Sequence, residues 1–112
     1  MRIMVVVNNF YAYKDAPVTG ESKETTNMSA QTLSIQVTGL NGTLKVVGAT
    51  DLLAEDFYTL TGFTTAFDLI DEITADGIYN FPIDDVVKFK FIATGAGEGT
   101  KVFCKMTKGG IS

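Results

Sequence analysis

Apolar Leu33, Ile35 and Val37 alternate with Ser34, Gln36 and Thr38, the period of a strand with one buried and one wetted face. Asn41-Gly42 follows, and an Asn-Gly pair between alternating runs is the strongest short hairpin signal, because a type I′ turn needs positive φ at both central residues. The return strand is then 44–49, with Leu44 and Val46 toward the core. Residues 56–60 read as a further strand and 64–74 as a longer one interrupted near Asp71. Phe67, Leu69, Ile70 and Ile73 would also line one face of a helix, so a helix over 65–73 stays open as the alternative. Asp76-Gly77 marks a second turn before the run 78–83, where Pro82 removes a ladder hydrogen bond and indicates an edge or a strand end. Val87, Phe89 and Phe91 alternate with Lys88 and Lys90 in the cleanest amphipathic strand of the chain. After the flexible connection Gly95-Ala96-Gly97-Glu98-Gly99, residues 101–107 put Val102, Cys104 and Met106 on one face and Lys101, Phe103 and Lys105 on the other.

Short strands with turn signals about every ten residues, and no sustained helical period with caps, predict an all-β fold: a single-domain antiparallel β-sandwich of jelly-roll or Greek-key type. The N-terminal part differs. Residues 3–7 form a strand, whereas 8–28 are irregular and polar apart from Phe10, Tyr11 and Tyr13. That stretch is either an arm that orders against a neighbour or an ordinary first strand and loop covering a sheet edge. The expected division is an N-terminal strand and arm over 1–29, the sandwich over 30–108, and a flexible tail over 109–112.

Composition supports a packed domain: 46% of the 112 residues are hydrophobic and 20% charged. Residues 3–7 are too short for the apolar core of a signal peptide, and no segment reaches the ~20 apolar residues of a membrane helix. One cysteine, Cys104, excludes an internal disulfide, so the chain is expected to fold in a cytoplasm without a membrane partner. Asn27-Met28-Ser29 and Asn41-Gly42-Thr43 then match the glycosylation triplet by chance. The net charge of −4 is unevenly spread: nine acids and no Lys or Arg lie between Asp51 and Asp85, and five lysines against Glu98 alone follow. Those are either solvated loops beside a lysine-bearing sheet face or complementary surfaces that set the register of neighbouring copies. Nucleic acid is not expected as a partner of an acidic chain whose basic residues do not cluster with exposed aromatics.

Catalytic chemistry is hard to assemble. The absence of histidine removes the usual general base, the Ser and Cys triads and most zinc sites. Cys104 occupies an apolar strand position, where a free cysteine acts as a small hydrophobe. Asp84-Asp85 and Asp71-Glu72 are adjacent pairs whose side chains point to opposite faces of a strand, so neither is an acid–base dyad by spacing. The glycines of 95–99 precede a strand, not the helix a phosphate loop needs. Calcium around Asp68, Asp71, Glu72 and Asp76 lacks EF-hand spacing. No catalytic residue, cofactor or metal is therefore expected. Without tryptophan, glycan stacking would fall to Tyr11, Tyr13, Tyr58 and Tyr79.

Over residues 32–105, the series Ile35-Gln36-Val37-Thr38-Gly39, Gly42-Thr43-Leu44-Lys45-Val46-Val47-Gly48, Phe57-Tyr58-Thr59-Leu60, Ile73-Thr74-Ala75-Asp76-Gly77-Ile78-Tyr79 and Val87-Lys88-Phe89-Lys90-Phe91 resembles small β-sandwich accessory proteins of bacteriophage virions, among them capsid decoration and head-fibre-like proteins. The resemblance implies a non-catalytic structural protein located in a virion and made in the host cytoplasm. Its partners would be other virion proteins and copies of itself, with a trimer the first candidate. The interface expected for it comprises the aromatic arm, Phe10, Tyr11 and Tyr13, and the loop side with Phe63 and Phe81. The alternative is a carbohydrate-binding or host-recognition module that meets surface glycans.

Overall fold

The computed structural model describes residues 4–14, 20–95 and 99–109. Among them lie eleven strands and no helix: β1 (Met4–Tyr13), β2 (Gly20–Glu21), β3 (Thr25–Thr26), β4 (Thr32–Thr38), β5 (Thr43–Ala49), β6 (Tyr58–Thr59), β7 (Gly62–Thr64), β8 (Leu69–Ile70), β9 (Gly77–Pro82), β10 (Lys88–Thr94) and β11 (Lys101–Gly109). One sheet has six strands in the order β1-β11-β4-β9-β7-β8. The other runs β2-β10-β5-β6, with β3 beside β2 on the same edge of β10. All pairings are antiparallel.

The pairing is nested: β1 with β11, β2 and β3 with β10, β4 with β9, β5 with β6. A long ribbon of paired strands has wrapped around itself, which is a jelly roll, with the β7–β8 hairpin added to one edge. The expected all-β sandwich is therefore the fold.

Alternation explains which side chains fill it. Leu33, Ile35 and Val37 on β4 and Val102, Cys104 and Met106 on β11 point inward from one sheet, and meet Leu44, Val46, Phe89 and Phe91 of the other. Phe81 joins this core from β9, and Ile73 and Ile83 close its ends. Asn27 is the buried polar hub of one end. Its amide nitrogen donates to the carbonyls of Ala30, Ile83 and Val86 at 2.9–3.0 Å, and its oxygen accepts from the Ala30 N–H, so every polar atom is used and none is free for a glycan.

Several local expectations change. Asn41-Gly42 is no hairpin turn, because β4 and β5 belong to different sheets. Asn41 lacks the positive φ that a type I′ turn demands; the chain turns through Gly39 (φ 73°) and Gly42 (φ 126°) and crosses over. A Cβ on Gly42 would overlap the Thr94 carbonyl oxygen, so glycine is required there by close approach. Asp76 caps this crossing, its carboxylate accepting the N–H groups of Gly39 and Leu40 at 2.9 and 2.8 Å. The stretch 64–74 is neither one long strand nor a helix but a tight hairpin followed by a lone bridge, Ile73 to Leu44. Within 56–60 only Tyr58 and Thr59 pair. Pro82 stands at a strand end, as expected. The irregular arm shortens: residues 8–13 continue the first strand, with Val7 and Ala12 as bulges against β11. Residues 96–98 of the glycine connection and 110–112 of the tail lie outside the described residues.

Candidate functional site

The outward face of the six-stranded sheet carries the most unusual surface. Antiparallel registers align Leu69, Phe63, Asn80, Ser34, Lys105 and Asn9 in one row across the sheet. A second row runs Ile78, Gln36, Phe103, Tyr11. Outward positions of a sandwich are ordinarily polar. Here Leu69, Ile78 and Tyr11 are exposed, and Tyr11 packs edge-on against Phe103 with ring centroids 5.1 Å apart. Lys14 stands over the Tyr11 ring at 5.0 Å, a polar rim to an aromatic patch.

Phe67 extends this face. It occupies the tip between β7 and β8 with φ 66°, rare for a bulky non-glycine residue, and is 84% exposed. Thr64 holds the tip: its hydroxyl accepts the Ala66 and Asp68 N–H groups, and its carbonyl accepts that of Phe67 at 3.0 Å. A cleft of ≈ 770 Å³ opens beside it, lined by Phe63, Phe67, Asn80 and Pro82 among others.

The opposite sheet is self-satisfied. Lys88, only 8% exposed, donates to the carbonyls of Leu52 and Ala54 at 2.9 and 2.6 Å and lies 3.6 Å from Glu24. Lys90 pairs with Glu21 at 2.8 Å, and both ammonium groups sit over the Phe57 ring. Much of the apparent basic face is thus consumed within the chain. The acids weighed for calcium have scattered roles: Asp71 accepts the Thr61 hydroxyl, Glu72 lies 3.9 Å from Lys45, and Asp76 caps the crossing. Among the described residues no group of three or more acids or cysteines is placed so that it could hold a metal ion. Burial pushes the Cys104 thiol from 9.0 up to about 12, which leaves it protonated and unreactive.

The residues expected at an interface separate into two groups. Tyr11 and Phe63 lie on the outward face. Phe10 and Tyr13 turn the other way, their rings 6.5 and 6.4 Å from Phe89 and Phe91, and the Tyr13 hydroxyl donates to the Gly20 carbonyl. Phe81, 1% exposed, is core and offers no contact surface; its alternation with Asn80 and Pro82 was the signal that places it inside. Phe67, Leu69, Ile78 and Phe103 were missed. For Phe103 a signal existed, since an aromatic between Lys101 and Lys105 on the wet face of a strand is out of place. Of the tyrosines, Tyr79 is buried with its hydroxyl on the Ala75 carbonyl, and Tyr58 is 71% exposed beside a cleft of ≈ 240 Å³ that includes Asp51, Asp56 and Asp85.

Fold and surface together define a jelly-roll domain whose outer face carries apolar side chains among polar ones; the jelly roll itself is shared by viral capsid, lectin and cupin domains. The sequence matches no protein-family model and no curated protein. Its structure is similar to the crystal structure of the SPBc2 prophage-derived protein YomS, with a TM-score of 0.79 over 96% of each chain at 16% identity. At that identity the likeness concerns the fold.

Proposed function

We propose that the chain is a non-catalytic structural protein of a phage particle, an accessory component on the capsid that associates with its own copies and presents the outer face of its six-stranded sheet to the particle. The observation that carries this reading is the set of apolar side chains, Leu69, Phe63, Ile78, Phe103 and Tyr11, at outward positions of the six-stranded sheet that are ordinarily polar, since aromatics are enriched at protein contacts. The prophage origin of YomS supports the phage setting, and the resemblance of residues 32–105 to virion accessory proteins points the same way. The protein is then made in the host cytoplasm and resides in the virion.

The test is mass spectrometry of purified particles, followed by reattachment of purified protein to particles stripped of it. The double variant Ile78→Lys/Leu69→Lys, altered only at exposed positions, is expected to fold normally and to bind stripped particles at least tenfold more weakly, about 1.4 kcal/mol. Absence of the chain from particles would remove the virion assignment.

The second reading, glycan recognition, is favoured by Tyr58, whose exposed ring is a stacking platform beside carboxylates that would accept sugar hydroxyls. Glycan-array binding abolished by Tyr58→Ala, with particle attachment unchanged, would select it.

A further inference from the structure

The four edges of the two sheets are not treated alike. Edge strands expose unpaired backbone groups, and natural proteins blunt them by keeping them very short, charged or interrupted by proline. In this chain β8, β6 and β2 close three of the edges with two residues each. The fourth edge is β1, ten residues long, pairing only with β11 among the described residues. Its sequence, MVVVNNFYAY, contains no charge and no proline. Val5, Val6 and Val7 are 42, 48 and 39% exposed, so apolar surface stands open on both sides of the strand. Among the described residues no strand pairs with its free side, and near its C-terminal end a cleft of ≈ 430 Å³ lies between residues 10–12 and 22–25.

We infer that β1 pairs antiparallel with β1 of a second copy, joining the two six-stranded sheets into one continuous sheet across a two-fold axis. A strand paired antiparallel with itself makes an isologous contact that closes at two, so no filament results. Because β1 is uncharged, self-pairing opposes no like charges within it. An axis through Asn9 sets that residue opposite its own copy, as a two-fold normal to an antiparallel pair requires, and faces Asn8 with Phe10, Val7 with Tyr11 and Val5 with Tyr13, so apolar side chains flank the paired asparagines. The outer edges of the joined sheet are then the two-residue β8 strands, already blunted. The bulges at Val7 and Ala12 bound a regular stretch, residues 8–11, at the centre of the contact. This deepens the self-association part of the proposed function and assigns it to a surface apart from Ile78 and Leu69.

Sedimentation equilibrium gives the first test. The parent chain is expected to be a dimer, and Val6→Lys, which installs the charge that edge strands normally carry, should raise the dimer dissociation constant at least 100-fold, whereas Ile78→Lys leaves it unchanged. Circular dichroism checks that Val6→Lys keeps its strands. If that variant unfolds, a nitroxide on Asn9→Cys decides: pulsed dipolar spectroscopy should find the two labels within about 20 Å, as strands about 4.8 Å apart require, whereas a label on Tyr58→Cys should not show that separation. Buried Cys104 does not compete for the label. A monomeric parent, or a dimer with no short distance at Asn9, overturns the pairing. A dimer joined at β1 in a protein missing from particles leaves the pairing intact and removes only the virion assignment.

Discussion

Lys88 and Phe89 are neighbours in sequence and opposites in environment, and both are held inside. Phe89, fully buried between the sheets, is expected to cost about 3–5 kcal/mol on replacement by Ala, measured by urea unfolding. Lys88→Ala strands the Leu52 and Ala54 carbonyls and should cost about 1.5–3 kcal/mol, the range for hydrogen bonds to a charged group; faster proteolysis within residues 51–57 should accompany the loss. Alternation alone showed that Phe89 points inward. The burial of Lys88 was not legible, because its acceptors lie more than thirty positions away and no pattern within the strand reports them. Two titrating groups give opposite pH signatures. Backbone N–H donors hold Asp76 below its ordinary 3.8, so its contribution exists above that pH and fades as pH falls through the lowered value; the stability gap between parent and Asp76→Ala should narrow toward pH 3. Cys104 is raised, so the folded state keeps a proton that the unfolded state releases near 9.0, and stability should decline from pH 9 toward 12. Burial also raises Tyr13 and Tyr79, which add to the alkaline loss. The pH slope of unfolding should be shallower above 9 in Cys104→Ala.

The strands that pattern well in sequence, β4, β5, β10 and β11, form where alternation puts them, because each buries one face against the other sheet. Their partners were less legible. Asn41-Gly42 signals a reversal, and a reversal occurs, but a jelly roll uses it to pass from one sheet to the other. Local turn chemistry constrains φ; it does not decide whether the next strand pairs beside the last or across the core. The β7–β8 hairpin escaped detection because its strands have three and two residues, too few for a period to show. Its tip offers a test of purpose. Glycine adopts φ 66° without strain, so Phe67→Gly should not lower the melting temperature even though a whole aromatic ring is removed. Weaker particle attachment in that stable variant would mean that the strained conformation is kept for the ring it displays.

At the scale of the whole molecule, the residues expected to make contacts divide: Tyr11 and Phe63 belong to the outward face, while Phe81 belongs to the core and Phe10 and Tyr13 pack onto it. Of the expected arm over 8–28, residues 8–13 are a sheet edge, the other reading of that stretch, because their partner is the last described strand, a pairing that lies beyond the reach of any local window. That same nesting sets the order in which the protein is made. As the chain leaves the ribosome, β5 and β6 are the first strands able to meet, β4 must wait for β9, and β1 has no partner until β11 has emerged. Throughout that interval a valine-rich, uncharged strand travels without shelter, and such a segment invites capture by chaperones or by other nascent chains. Of the described strands, the first to be synthesised is the last to be housed.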